Sequence, residues 1–256
     1  MTDLPNLPFW VDREIVISAT RATVFRYFTD AERWARWWGK GSTIDPRPGG
    51  AVLICYPGNT TASGTVVEIV SPERIVFTYG YDRPDPPIAP GASRVTITVT
   101  EIPGGTRVHL RHDVATEKLR DEHRAGWRYQ MAVFGDVVTT EQHAGAEALI
   151  DRYLAAWSER DPAARRASLE ATCTDDVVYR DRYGFAAGRD DLDGHIAAAQ
   201  VHLPSALERT GAARLSQGQA IVDWHAKKGD AVAARGTTVF DLAPDGRIAR
   251  ATGFWA

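Results

Sequence analysis

Asp181 is the first residue of this sequence whose type and setting suggest chemistry. In the strand-like run Val177–Tyr183, alternation puts Val177, Tyr179, Asp181 and Tyr183 on one face. Val178, Arg180 and Arg182 fall on the other. If the first face lines a cavity, a carboxylate there is partly desolvated and is a useful proton acceptor. The competing reading is a salt bridge to Arg180, Arg182 or Arg189. His195, on a helical pattern, is a second acid–base candidate. Asp223 and His225, with Arg235 near them, form a third group. Alternation sets Asp223 and His225 opposite Trp224, on a strand face that reads as solvated. Tyr153 lies in the apolar stripe of a helix, where core packing is its first reading. Tyr179 and Trp224 are candidate ligand contacts in the same half.

In the first half, Trp127, Met131 and Phe134 recur along one helix face. They either line a pocket for a lipid or aromatic ligand or fill the core between helix and sheet. Trp34, Trp37 and Trp38 read as anchors closing one end of that core. His109 and His112, three positions apart on a strand, fall on opposite faces. His123 and Trp127 are i, i+4 neighbours; His123 reads as a surface residue. None of the seven histidines forms HxH or HExxH, so no metal is expected. The two cysteines, Cys55 and Cys173, have no CxxC partner and read as packed thiols. No Gly-rich phosphate loop and no GxSxG elbow occurs. No cofactor is expected.

These residues need elements to hold them. The chain has 256 residues, 44% of them apolar and 25% charged, enough for two domains with a core each. The net charge of −3 argues against nucleic acid as a partner. No apolar run reaches the roughly 18 residues of a membrane span, and Met1 to Pro8 lacks a secretory pattern. A cytoplasmic location is expected. Strand patterns cover Trp10–Ser18, Ala51–Tyr56, Ser63–Val70, Arg74–Tyr81, Ser93–Ile102 and Thr106–His112. Helical patterns cover Thr20–Phe28, Ala31–Trp38 and Leu119–Val138. Past a short polar join at Thr139–Gly145 the order changes. Helices Ala146–Glu159 and Asp161–Ala171 precede the strand Val177–Tyr183, and a helix Asp190–Leu203 stops at Pro204. Strands follow at Ala213–Ser216, Ala220–His225, Ala231–Leu242 and Arg247–Phe254. The opposed orders predict two α+β domains, 9–140 and 146–256.

The first half resembles the Hsp90-ATPase-activator-homologue (AHSA1-like) branch of the START-like, or SRPBCC, superfamily. The resemblance rests on Val24-Phe25-Arg26-Tyr27-Phe28-Thr29-Asp30-Ala31-Glu32, Trp37-Trp38-Gly39, Pro48-Gly49-Gly50, Pro72-Glu73-Arg74-Ile75-Val76-Phe77-Thr78, Gly104-Gly105-Thr106-Arg107 and Gly126-Trp127. It implies a helix-grip fold that binds hydrophobic ligands. The second half resembles a SnoaL-like member of the NTF2-like superfamily, a cone-shaped α+β barrel. Its residues are Tyr153-Leu154-Ala155-Ala156-Trp157, Arg160-Asp161-Pro162, Gly188-Arg189-Asp190-Asp191-Leu192, Asp245-Gly246-Arg247-Ile248 and Gly253-Phe254-Trp255. By this resemblance Asp181 stands where ketosteroid isomerases hold their base, and Tyr153 where they hold an oxyanion-stabilising tyrosine. Their second acid is replaced here by Gly236.

Three functional readings follow. The first is a two-domain binder of hydrophobic, polyketide-like or steroid-like molecules in apolar cavities. The second is a cofactor-independent cyclase, isomerase or hydrolase with Asp181 as general base, assisted by Tyr153 and His195. The third, a chaperone-linked stress protein, comes only from the name of the first family, and Hsp90 is not expected as a partner. The second family also implies a homodimer.

Overall fold

A computed structural model describes residues 6–202 and 205–256. It divides into two compact units, one ending at Val138 and the other beginning at Thr139.

The first unit runs β1 (Phe9–Ile17), α1 (Arg21–Arg26), α2 (Ala31–Trp38), β2 (Thr43–Ile44), β3 (Ala51–Cys55), β4 (Thr61–Val70), β5 (Arg74–Tyr79), β6 (Ser93–Ile102), β7 (Gly105–Val114) and α3 (Glu117–Gln142). Its seven strands form one sheet in the order β1-β7-β6-β5-β4-β3-β2. Each element has a local cause. The Asp30 carboxylate accepts the N–H of Arg33 at 2.9 Å and starts α2. Gly39 ends that helix at φ +138°, where a Cβ would lie 2.2 Å from the Cys55 carbonyl oxygen. On α3, Trp127, Met131, Phe134 and Val138 are all buried, the single apolar face that the spacing predicts. Phe134 stacks on Phe28 with centroids 5.2 Å apart and meets Trp37 edge-on at 4.9 Å. The Tyr27 hydroxyl donates to the Val137 carbonyl at 2.8 Å and ties α3 to the segment after α1.

The second unit runs α4 (Ala146–Ala156), α5 (Pro162–Thr172), β8 (Cys173–Arg180), β9 (Phe185–Ala187), α6 (Arg189–His202), β10 (Ala206–Ser216), β11 (Gln219–Lys228), β12 (Ala231–Leu242) and β13 (Ile248–Trp255). Its six strands are ordered β10-β11-β12-β13-β8-β9. Among the described residues of this unit only β13 and β8 pair in parallel; the other pairs are antiparallel. Asp161 caps α5, and Pro162 takes its first turn. Asp193 of α6 bonds Arg165 at 2.5 Å and Arg166 at 2.9 Å on α5. Burial opposes the charge on Asp193, but the two guanidiniums outweigh it and hold its carboxyl below the usual range.

Both units are α+β, as the element orders predict. Several boundaries differ. α1 is shorter than Thr20–Phe28, because Thr20 is its N-cap and Tyr27 its C-cap. β2 and β9, two and three residues long, carry too little pattern to be read from sequence. β10 begins at Ala206, not Ala213. Its pairing with β11 shifts between Thr210 and Arg214 around Gly211, which breaks the alternation. The strand expected over Val177–Tyr183 starts at Cys173 and stops at Arg180. The expected helix end at Leu203 and the stop at Pro204 lie outside the described residues.

Candidate functional site

In the second unit a cavity of about 710 Å³ is bounded by α4, α6 and strands β8 and β10 to β13. Six aromatic side chains line it: Tyr153 from α4, Trp157 at the C-cap of α4, Tyr179 from β8, Tyr183 after β8, Trp224 from β11 and Trp255 from β13. Trp224 and Trp255 meet edge-on at 5.1 Å, and Trp157 lies 5.1 Å from Tyr179. Trp224 Nε1 donates to Thr238 at 2.9 Å, which satisfies it inside the barrel.

Asp181 sits at the end of β8, on the cavity wall. Its Oδ2 accepts Tyr179 Oη at 2.7 Å and Trp255 Nε1 at 2.9 Å. Its Oδ1 accepts the backbone N–H of Tyr183 at 2.7 Å and of Gly184 at 2.8 Å. These last two bonds turn the chain and end the strand. The salt-bridge alternative is not what holds it: Arg189 pairs with Asp175 and Glu170, and Arg182 lies over the Tyr183 ring. A carboxylate offers about four lone-pair positions, and four donors occupy this one. Asp181 therefore organises the wall rather than standing free as an unpaired acceptor.

His195 lies on the same wall, with its ring 5.2 Å from Tyr179 and 5.9 Å from Trp157. A Cβ at Gly184 would come within 2.2 Å of its Cε1, so the backbone held by Asp181 is packed on the imidazole. Tyr153 is buried in α4 and meets Phe240 edge-on at 5.4 Å, as its core reading expects. Its hydroxyl, like Trp157 Nε1, is buried and makes no hydrogen bond of good geometry to the described residues. Burial pushes the phenols of Tyr153 and Tyr179 well up from their ordinary value. Burial also raises the Cys173 thiol to about 11. Gly236 pairs with Trp224, and a Cβ there would lie 2.3 Å from the indole. The bulk of Trp224 thus fills the room a second acid would need. Asp223 is exposed and accepts from Thr237 on the outer face.

In the first unit a smaller cavity of about 480 Å³ lies beside α3. Trp127 lines it, but Met131 and Phe134 do not. They are packed into the core between helix and sheet. Tyr56, Tyr79 and Tyr81 line it with His123. His123 is half-buried, not a plain surface residue: its Nδ1 meets the Leu119 carbonyl at 2.8 Å and its Nε2 the Tyr81 hydroxyl at 3.2 Å. Tyr56 and Tyr79 share a hydrogen bond of 2.9 Å, and burial raises both phenols. Behind them His112 is fully buried between Trp127 Nε1 at 2.9 Å and Ser93 Oγ at 2.8 Å. Burial, with a smaller push from His123, lowers it to about 3.

Sequence reasoning missed Trp157 and Trp255 in the larger cavity, Gly184 against the His195 ring, and the three tyrosines in the smaller cavity. Trp255 was within reach, since alternation along β13 sets it on the face of Ala251 and Gly253. Gly184 was not, because its neighbour His195 is on another element. Among the described residues no three metal-ligating side chains come together, and no helix is long and apolar enough to cross a membrane.

Residues 18–139 match the family model of the activator of Hsp90 ATPase homolog 1-like proteins. Residues 150–251 match the model of the SnoaL-like domain. The chain is an AHSA1-like domain followed by a SnoaL-like domain. The AHSA1-like half is similar to an AHSA1-like protein of Rhizobium etli, at 31% identity over 53% of this chain and 86% of that one, with a TM-score of 0.43. The chain is also similar to a putative isomerase of the SnoaL-like family from Agrobacterium tumefaciens, at 26% identity over 45% of this chain and 98% of that one, with a TM-score of 0.42. No curated protein matches the chain. Members of these two families bind small molecules or act as isomerases or cyclases.

Proposed function

We propose that the chain binds hydrophobic ring molecules, of polyketide or steroid type, in the cavity of its SnoaL-like domain. One observation carries this reading. A cavity of about 710 Å³ is lined by six aromatic residues, with Asp181 and His195 among its polar ones. Ligand sites have that size and composition, with apolar walls for affinity and a few polar groups for orientation. The AHSA1-like cavity is a second, smaller place for such a ligand. Residues 9–140 and 146–256 are proposed as the two domains. A homodimer through the outer face of the second sheet belongs to the same proposal, supported by the exposed ring of Phe254.

Titration with a hydroxylated anthraquinone tests the reading. Ligand at a hundred times its Kd stabilises a folded domain by about 2.7 kcal/mol. The SnoaL-like domain is therefore expected to melt at a higher temperature with the quinone, and its tryptophan emission to be quenched with saturation. An unchanged melt together with unsaturated quenching would remove the proposal.

The second reading, turnover without a cofactor, is supported by the acid–base groups on the same wall. Asp181, Tyr153 and His195 are its candidate residues, and Asp181→Asn is its first variant.

A further inference from the structure

Two ionisable groups of the SnoaL-like cavity, Asp181 and His195, differ in what is left open to a ligand. Asp181 has a donor on each of its four acceptor positions, two of them backbone N–H groups that shape the loop. To take a proton from a ligand it would have to release one of them. His195 is in the opposite state. Its ring is held between Tyr179, Trp157 and the backbone at Gly184. Neither of its ring nitrogens makes a hydrogen bond to a described residue, and neither is sealed from the cavity. The imidazole is thus fixed in place by apolar contact, with its nitrogen chemistry unused.

We infer that His195 is the group that exchanges a proton with a ligand in this cavity, and that Asp181 is a positioning residue acting through Tyr179 and the loop at Gly184. This rests on the reading that the cavity binds ring molecules, and it adds the ligand's chemistry: a ring bearing an acidic hydroxyl. On binding, the ligand O–H bond breaks and an N–H bond forms on the imidazole. The electron pair stays on the ligand oxygen, leaving an imidazolium beside a phenolate-type anion. The other titratable or charged groups on the wall are Tyr153, Tyr179, Asp181, Arg182, Tyr183 and His202. Tyr179 already gives its proton to Asp181, and the Tyr153 hydroxyl is enclosed.

The probe is 4-nitrophenol, whose neutral and ionised forms absorb at different wavelengths. The full chain is titrated with it across the pH range in which the free phenol ionises, reading total binding by tryptophan quenching and ionisation by absorbance. The expected result is saturable binding with the bound probe ionised at a lower pH than the free one. In His195→Gln the probe still binds, but that shift is lost and affinity for the phenolate falls about tenfold or more. In Asp181→Asn and Tyr179→Phe affinity falls while the shift persists, which separates positioning from proton exchange. Binding with a shift that survives His195→Gln, or one that is absent from the native chain, overturns the inference and leaves the binding reading standing. No saturable binding by the native chain removes both.

Discussion

Asp181 lies one residue past the end of β8, with every acceptor position of its carboxylate taken. Alternation put it on the face of Tyr179, and the two share a cavity wall. Four donors then take up the carboxylate, three of them within three positions and the fourth, Trp255, seventy-four away. His195 depends on Gly184, so Gly184→Ala is expected to push the imidazole off its seat and weaken ring-molecule binding about tenfold. Gly194→Ala, where a new Cβ meets nothing within 4 Å, is the matched control. It should leave binding intact and add about 0.5–1 kcal/mol of helix stability. Equal affinity in both variants would contradict this. His112 offers a test in the AHSA1-like domain. The Trp127 indole can only donate, so it fixes Nδ1 as acceptor and leaves the proton on Nε2, toward Ser93. Its pKa falls from 6.5 in the open chain to about 3 in the fold. Between those values the unfolded chain binds the extra proton. Stability from this group is complete above pH 6.5 and is lost at about 1.4 kcal/mol per pH unit as pH falls toward 3. Urea midpoints for the native chain and for His112→Gln check it: the native chain should lose stability more steeply on acidification. Parallel slopes would contradict the buried neutral imidazole.

Elements were legible wherever one pattern decided them. The spacing of Trp127, Met131, Phe134 and Val138 gave α3 and its buried face. Asp161-Pro162 gave the start of α5. The limits β2, β9 and the end of β8 were not legible, since they follow from short pairings and from a side chain capping a turn. Pocket membership was equally hidden. Phe134 and Trp127 share a helix face, yet only contacts with α1 and α2 put Phe134 in the core and leave Trp127 on a cavity wall. Phe134→Ala is therefore expected to cost about 3–5 kcal/mol in the AHSA1-like domain, measured by denaturant unfolding. A loss under 1 kcal/mol would mean that it does not anchor α3. In the SnoaL-like domain, α5 and α6 are joined by Asp193 with Arg165, both buried. Asp193→Asn leaves that guanidinium without its counter-charge and should cost about 3–5 kcal/mol. Arg166, exposed on its side of the pair, should cost under about 1 kcal/mol when replaced by Gln.

At the scale of the whole chain, the two hydrophobic cores have no residue in common: one draws on residues up to Val138, the other on residues from Ala146. Each unit has the core that independent folding requires. Fragments 9–140 and 146–256 are expected to give cooperative unfolding on their own, read by circular dichroism; a fragment without a transition would contradict the separation. The central claim is that the SnoaL-like cavity holds a ring molecule. Its most direct test is native mass spectrometry of the full chain with a hydroxylated anthraquinone, beside Ala234→Trp, which places an indole on the cavity wall. One bound quinone per chain is expected in the native protein, and none in a variant that still unfolds cooperatively. No complex with the native chain, or equal complex in both, would contradict it.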